Sequence, residues 1–384
     1  MECYFDNSAT TYVYDEVIDL MVKIMREDYG NPSAMHKKGV EAERYIKEAK
    51  DIFSNVLKCK DKNIIFTSGG TESNNMAIFG AVYANKRTKN HILVSEVEHA
   101  SVAACMDKLK KDGFDVEYLK TDRLGIVSVD DLKAKLRPDT ALVSCMYVNN
   151  EIGSVMPIEA MAKVIHENSD AYFHVDAIQA FGKFRIYPKR LGIDLLSISS
   201  HKFHGPKGCG ALYIGDGVRI LPLIYGGGQQ QDMRSGTENV PGIAGMALAA
   251  KICMDNLDAY VAHMKELKEY LIGKLTKLDM VTVNGYEEGT PCAPNIVSLS
   301  FEGVRSEVFL HALEDKGIYV SAGSACSTNK PHKSHTLVAI GLPNKLIEST
   351  LRFSFCEKNT KEEIDYAVGV IEEILPMLRK YKRG

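Results

Sequence analysis

The hydrophobic positions change rhythm along the chain. Between about residues 60 and 215, short apolar runs alternate with stretches of helical period. NIIFT (63–67), HILVS (91–95), DVEYL (115–119), TALVS (140–144), AYFHV (171–175), DLLSIS (194–199) and GALYIG (210–215) read as strands. Several are apolar at consecutive positions, which suits a sheet covered on both faces. The segments 71–86, 99–111 and 157–168 read as helices between them, and this alternation predicts a mainly parallel sheet. Two amphipathic helices, about 15–28 and 37–57, come before it, and one helical pattern runs from about 241 to 278 after it. The rest changes character: a strand at 295–301, a helix at 305–316, a strand at 351–355 and a helix at 361–380. We therefore expect an α/β large domain over 12–255, its mainly parallel sheet flanked by helices. A smaller α+β domain is expected from 1–11 and 256–384.

Composition narrows the function classes. The chain has 384 residues, 45% of them hydrophobic and 25% charged, with a formal net charge of −3. That balance offers no basic field for nucleic acid, so no direct nucleic-acid binding is expected. The start, MECYFDNSATTYVYDE, lacks a charged n-region followed by an apolar core, so no secretory signal is expected. No run of about 18 apolar residues occurs, so no membrane span is expected either. Nine cysteines stand without CxxC pairing. An odd, scattered set points to reduced thiols and a cytoplasmic setting, with neither a disulfide framework nor a metal site.

Four segments carry candidate chemistry. SISSHKFHGPKG (197–208) sets Lys202 just past an apolar strand, where desolvation lowers an amine's pKa and frees it for Schiff-base chemistry. A loop lysine is commonplace by itself, but Asp176 changes the weighting. It ends the strand of FHVDAIQA (173–180), at the edge where open α/β sheets bind ligands. A carboxylate there suits the ring nitrogen of a pyridine cofactor, while an isolated aspartate would read as a turn or cap residue. SGGTESNN (68–75) places glycines, Gly70 among them, at a helix start where backbone N–H groups suit a phosphate. It lacks the Gly-Lys-Ser/Thr ending of a P-loop, and Thr71 could serve as a plain N-cap. His99, in SEVEHAS, sits where an imidazole could stack on a cofactor and move protons, or simply close a helix.

The order DNSATT, SGGTESNN, EVEHAS, VNNEIG, HVDAIQ, SSHKFHGPKG, GGGQ, RSGTEN, SAGSACS and LRFSF resembles the cysteine desulfurases of the NifS/IscS type. These are class V, fold-type I pyridoxal-phosphate enzymes, and the likeness runs over nearly the whole chain. It implies pyridoxal 5′-phosphate as cofactor, bound covalently by Lys202, with Asp176 on the pyridine nitrogen and Gln179 on the ring oxygen. His99 would stack on the ring, and Gly70, Thr71, Ser199 and His201 would surround the phosphate. Thr237 would reach the phosphate of the other subunit of a homodimer, and Asn150 and Arg352 would grip the substrate carboxylate. Arginine's planar fork fits that last duty.

Cys326 decides the reaction. SAGSACSTNKPHKSH (321–335) surrounds it with small, polar and turn-forming residues and reads as an exposed loop, with Lys330, His332, Lys333 and His335 nearby to favour a thiolate. The resemblance implies that L-cysteine gives alanine while Cys326 keeps the sulfur as a persulfide for a protein acceptor, as in iron–sulfur cluster assembly. The competing readings are a selenocysteine lyase or other β-eliminating class V enzyme, and a non-catalytic sulfur carrier or scaffold. The chain departs from the family in reading GGGQQQD for GGGQER and SSHK for SGHK, and in ending at LRKYKRG without the longer IscS tail.

Overall fold

The computed structural model describes residues 1–322 and 333–380. Strand β1 (Cys3–Tyr4) and helices α1 (Asp15–Arg26) and α2 (Lys37–Leu57) open the chain. One seven-stranded sheet follows: β2 (Ile64–Thr67), β3 (His91–Ser95), β4 (Asp115–Leu119), β5 (Thr140–Met146), β6 (Tyr172–Asp176), β7 (Leu195–Ser199) and β8 (Gly210–Ile214). Between its strands lie α3 (Gly70–Asn85), α4 (Ala100–Lys111), α5 (Val129–Lys135), α6 (Ile158–Asn168) and α7 (Pro188–Leu191). The strand order is β2-β8-β7-β6-β5-β3-β4, parallel except for β8, which runs against both neighbours.

Strand periodicity explains the layers. Ile64 and Phe66, Leu93, Val143 and Cys145, Phe173 and Val175, and Leu196 and Ile198 face one core shared with α1, α2 and α8 (Val240–Asp255). Their alternates, Ile65, Ile92 and Val94, Leu142, Leu195 and Leu212, face a second core under α3 and α4. Both parities must be apolar because helices cover both faces.

The long helical pattern after residue 240 is two helices, α8 and α9 (Leu257–Leu275), not one. Asn256 leaves helical space (φ −109°, ψ 9°), and its Nδ2 donates to the Ile252 carbonyl at 2.9 Å, closing α8. Periodicity alone does not register such a break, because Leu257 resumes the apolar stripe at once.

The remaining elements are β9 (Val281–Val283), β10 (Ile296–Phe301), α10 (Ser306–Glu314), β11 (Ile318–Tyr319), β12 (Ser321–Ala322), α11 (His335–Ala339), α12 (Asn344–Ile347), β13 (Thr350–Ser354) and α13 (Lys361–Lys380). A four-stranded sheet, ordered β12-β13-β10-β9, packs on α9, α10 and α13 over its own core, which includes Cys3 and Phe5 from the chain start. The four short elements α11, α12, β11 and β12 escape a periodicity reading because each is too brief to show a period. Among the described residues no helix is long and apolar enough to cross a membrane.

Two of the departures, GGGQQQD and SSHK, have local explanations. β2 is an edge strand, and Gln230 lies along it: the Phe66 N–H donates to its Oε1 at 2.6 Å, and its Nε2 donates to the Phe66 carbonyl at 2.8 Å. The side-chain amide thus does for the open edge what a neighbouring strand would do. Ser200 is fully buried, and its Oγ would lie 2.1 Å from a Cβ at Gly205, so the added hydroxymethyl occupies the space that glycine leaves.

One ion pair joins the end of β13 to the segment after β7. Glu357 meets His204 Nε2 at 3.0 Å and accepts from the Tyr12 hydroxyl. Burial works against the charged carboxylate, but the His204 contact and the Tyr12 hydroxyl outweigh it and hold Glu357 at about 2. A depressed carboxyl stabilises the fold above its unfolded pKa and loses that contribution as pH falls through the folded value. Glu357→Gln should therefore lower unfolding free energy near neutral pH, by up to about 3 kcal/mol for a shift of this size. The difference from wild type should shrink between about pH 4.5 and 2. Denaturant melts at several pH values measure it, and a pH-independent difference would refute the assignment.

Candidate active site

The sheet's C-terminal edge collects the candidate side chains. β6 ends on Asp176 and β7 ends on Ser199; a single 3-10 turn, Ser200–Lys202, then sets Lys202 beyond the strand end. β2 leads through Gly69 into α3, and β3 leads to His99, the N-cap of α4. These four strands run in one direction, so their ends share one edge.

The Lys202 Nζ donates to the Ser8 carbonyl at 2.5 Å and the Ala9 carbonyl at 2.8 Å. The Ser8 carbonyl also accepts from Gln179 Nε2 at 3.0 Å, which places Gln179 beside the amine. Burial lowers the Lys202 pKa to about 7; the charges of Arg352 and Lys183 add to the effect, while Asp6 and Asp176 oppose it. At neutral pH a large share of this amine is unprotonated and nucleophilic, as Schiff-base chemistry needs.

Asp176 is buried, and its partners are neutral donors: Asn74 Nδ2 at 2.8 Å and the Ile178 N–H at 2.9 Å. Burial raises its pKa, although both hydrogen bonds favour the carboxylate. Asn74 Nδ2 also donates to Ser101 Oγ at 2.9 Å, and that hydroxyl lies 2.9 Å from His99 Nδ1. The Ser101 N–H reaches the same Nδ1 at 3.1 Å. Nδ1 is thereby an acceptor, which leaves the neutral ring's proton on Nε2. His99 is exposed as a residue, yet desolvation first, and then the Lys202 charge, lower its pKa against the pull of Asp176.

The start of α3 has no side-chain cap, and Gly69 has φ 144°, so first-turn N–H groups stay free. A Cβ on Gly70 would come within 2.2 Å of Ile178 Cδ1 and 3.3 Å of the Ser199 Cβ, so glycine lets this backbone lie close to the strand ends without displacing the Ile178 side chain. A Cβ on Gly69 would lie 3.9 Å from Ser199 Oγ, which places that hydroxyl beside the loop. His201 is held near Thr10, its Nδ1 3.3 Å from Oγ1, and burial with the nearby Lys202 charge lowers its pKa to about 4. Thr71 is exposed, its carbonyl taken by Asn75 Nδ2 at 2.8 Å. A neutral imidazole, free N–H groups and hydroxyls form a donor set that fits a phosphate monoester, and a buried carboxylate without a basic partner fits a pyridinium. The residues present therefore fit pyridoxal phosphate.

Arg352, on β13, enters from the other sheet. Its Nη1 donates to the Asn150 carbonyl at 2.8 Å, its Nη2 pairs with Asp6 Oδ1 at 2.8 Å, and its buried Nε has no partner. Asn150 thus meets Arg352 through its backbone. Thr237 is exposed and makes no hydrogen bond among the described residues; its segment is tied to α3 by the Arg234–Glu72 ion pair at 2.9 Å. Cys326 lies outside the described residues. The chain leaves them from β12, where Ser321 pairs in register with Arg352.

Ser8, Ala9, Asn74, Ser101 and Asp6 belong to this geometry without having been singled out as site residues. The motifs DNSATT, SGGTESNN and EVEHAS contain all five, which was the available signal. The one possible metal cluster among the described residues, His91, Asp115 and Glu117, sits at the opposite ends of β3 and β4, where Arg137 already contacts Asp115 at 2.8 Å.

A sheet of this order with a depressed lysine at its carboxyl edge is the architecture of the fold-type I transferases. The profile of the family described as Aminotransferase class-V matches residues 3–367, and the chain belongs to that family. A cysteine desulfurase IscS of Methanosarcina thermophila is 43% identical over 98% of this chain and 92% of its own. A solved structure titled NIFS-like protein superposes with a TM-score of 0.93 at 38% identity, covering 98% of this chain and 100% of the other. Another, titled SspA in complex with cysteine, gives a TM-score of 0.81 at 33% identity, covering 93% of this chain and 100% of the other.

Proposed function

We propose that the chain is a pyridoxal-phosphate-dependent cysteine desulfurase that converts L-cysteine to L-alanine and keeps the sulfur as a persulfide on Cys326. The observation that carries this is the meeting of a depressed lysine, an unpaired buried carboxylate and an uncapped helix start on one sheet edge. The names and title of the relatives supply the substrate class.

When bound, pyridoxal phosphate supplies an electron sink that stabilises negative charge at the substrate α-carbon. Lys202 holds the cofactor and afterwards takes the α-proton with its unprotonated amine. Asp176 keeps the ring nitrogen protonated, Gln179 holds the ring oxygen, and His99 covers the ring face. Gly70, Thr71, Ser199 and His201 hold the phosphate. Arg352 turns its fork to the substrate carboxylate and Asn150 supports it. The Cys326 thiolate attacks the substrate sulfur: a sulfur–sulfur bond forms as the carbon–sulfur bond breaks, the bonding pair stays with the substrate carbons, and protons delivered to the β-carbon and returned to the α-carbon complete alanine.

In this reading the chain divides into a large domain, 12–255, and a small one, 1–11 with 256–384, and works as a cytoplasmic homodimer. Exposed Leu221, Leu223, Ile224 and Tyr225 offer apolar surface just before the segment carrying exposed Thr237, which suits a subunit contact that brings Thr237 to the partner's phosphate. The sulfur passes to an acceptor protein, with iron–sulfur assembly as one destination. The purified protein, incubated with L-cysteine, should release alanine and carry one extra sulfur on the peptide containing Cys326; no alanine and no added mass would overturn the proposal.

A further inference from the structure

Lys183 is a buried lysine that the chemistry above does not use, and burial lowers its pKa. It follows Gly182, whose positive φ of 80° turns the chain so tightly that a Cβ there would sit 3.0 Å from the Phe203 Cβ. The turn delivers the Lys183 Nζ to the backbone carbonyl of Lys202, at 2.5 Å. Only 9% of Lys183 is exposed.

Burying an ammonium is costly unless a carboxylate pairs with it, and an apolar side chain of similar length would fit the same space at lower cost. Lys183 has no such partner among the described residues. Glu357, the nearby carboxylate, is committed to His204 and Tyr12. The other groups facing Lys183 are the thiols of Cys253 and Cys356, His201 and Lys202 itself. A small cavity lined by Lys183, His204, Cys253, Cys356 and Glu357 surrounds it, too tight for any ligand beyond a water. A polar amine is therefore kept here for something other than packing or ligand binding.

Lys202 is what it acts on. The charges of Arg352 and Lys183 both work against a proton on the Lys202 nitrogen, while Asp6 and Asp176 favour it. Arg352 is paired with Asp6 and is taken up by a substrate carboxylate in turnover, whereas Lys183 is locked in place. We propose that Lys183 is a positioning residue for Lys202: its buried Nζ anchors the Lys202 main chain, and in its protonated form it sets a positive charge against a proton on the Lys202 nitrogen. The inference rests on the cofactor reading of the site and adds a residue to it.

The test titrates the visible absorbance of the substrate-free holoenzyme against pH, in wild type and in Lys183→Met, Lys183→Gln and Lys183→Arg. Removing a nearby positive charge makes a proton on the Lys202 nitrogen more favourable. The midpoint should rise by about one unit in the methionine and glutamine variants, a roughly tenfold tighter proton. The arginine variant should stay within a few tenths of wild type. Glutamine keeps a polar donor and serves where the methionine variant fails to fold. Unmoved midpoints in the neutral variants, or an equal rise in the arginine variant, would overturn the inference and leave Lys183 as packing. A wild-type protein with no cofactor absorbance would instead sink the functional reading itself.

Discussion

Lys202→Ala should abolish alanine formation from L-cysteine, with a rate loss of at least about 10⁴, while the protein stays folded. The lysine carries two duties at once, covalent attachment and α-proton transfer, and each alone is worth orders of magnitude. Its fold contacts are two backbone carbonyls, those of Ser8 and Ala9, so truncation removes a buried charge and leaves the strands untouched. Lys202→Arg should be equally inactive: a guanidinium stays protonated in proteins and cannot serve as nucleophile or base. Alanine release measured by amino-acid analysis, with circular dichroism on the same samples, decides the point. A folded Lys202→Ala variant retaining activity within tenfold of wild type would remove Lys202 from the chemistry.

Cys326→Ser should be the second near-total loss, of about 10³ or more with L-cysteine, because a hydroxyl is far less ionised and less nucleophilic than a thiol. The structure shows why seven of the other eight cysteines would not substitute. Cys3, Cys105, Cys145, Cys209, Cys253 and Cys356 are buried. Burial pushes the Cys3, Cys105, Cys209 and Cys253 thiols up to about 11 and the Cys356 thiol to about 12. Half-buried Cys59 is also pushed up to about 11. A thiol held so far above neutrality is a packing group, not a ready thiolate. Supplying L-cysteine and L-selenocysteine to the same variant separates the alternatives: lost L-cysteine turnover with L-selenocysteine turnover intact points to a selenocysteine lyase, and retained L-cysteine turnover would place the reaction among the thiol-independent eliminations.

The strand runs were legible because each needs only its neighbours: a covered strand must be apolar on both parities, whatever lies beyond it. HILVS and DVEYL coincide with β3 and β4, and the helix expected at 37–57 is α2 to the residue. The site was legible in part for a related reason. Lys202, Asp176 and His99 follow strands, and strands of one direction bring their ends together without further information. The break at Asn256, the Gln230 amide laid along the β2 edge and the Lys183 contact were not legible. The first is hidden because Leu257 resumes the apolar stripe at once, and the other two depend on a partner's position rather than on a local pattern, as when Lys183 meets a carbonyl of the loop after β7.

By itself, then, the order of residues determined which elements form, which faces they bury and which reactive groups stand at strand ends. The tertiary structure alone decided how those groups behave. An amine's proton affinity depends on how much water it loses and which charges face it, and those come from Ser8, Arg352 and Lys183, distant in the chain and adjacent only once both sheets have packed.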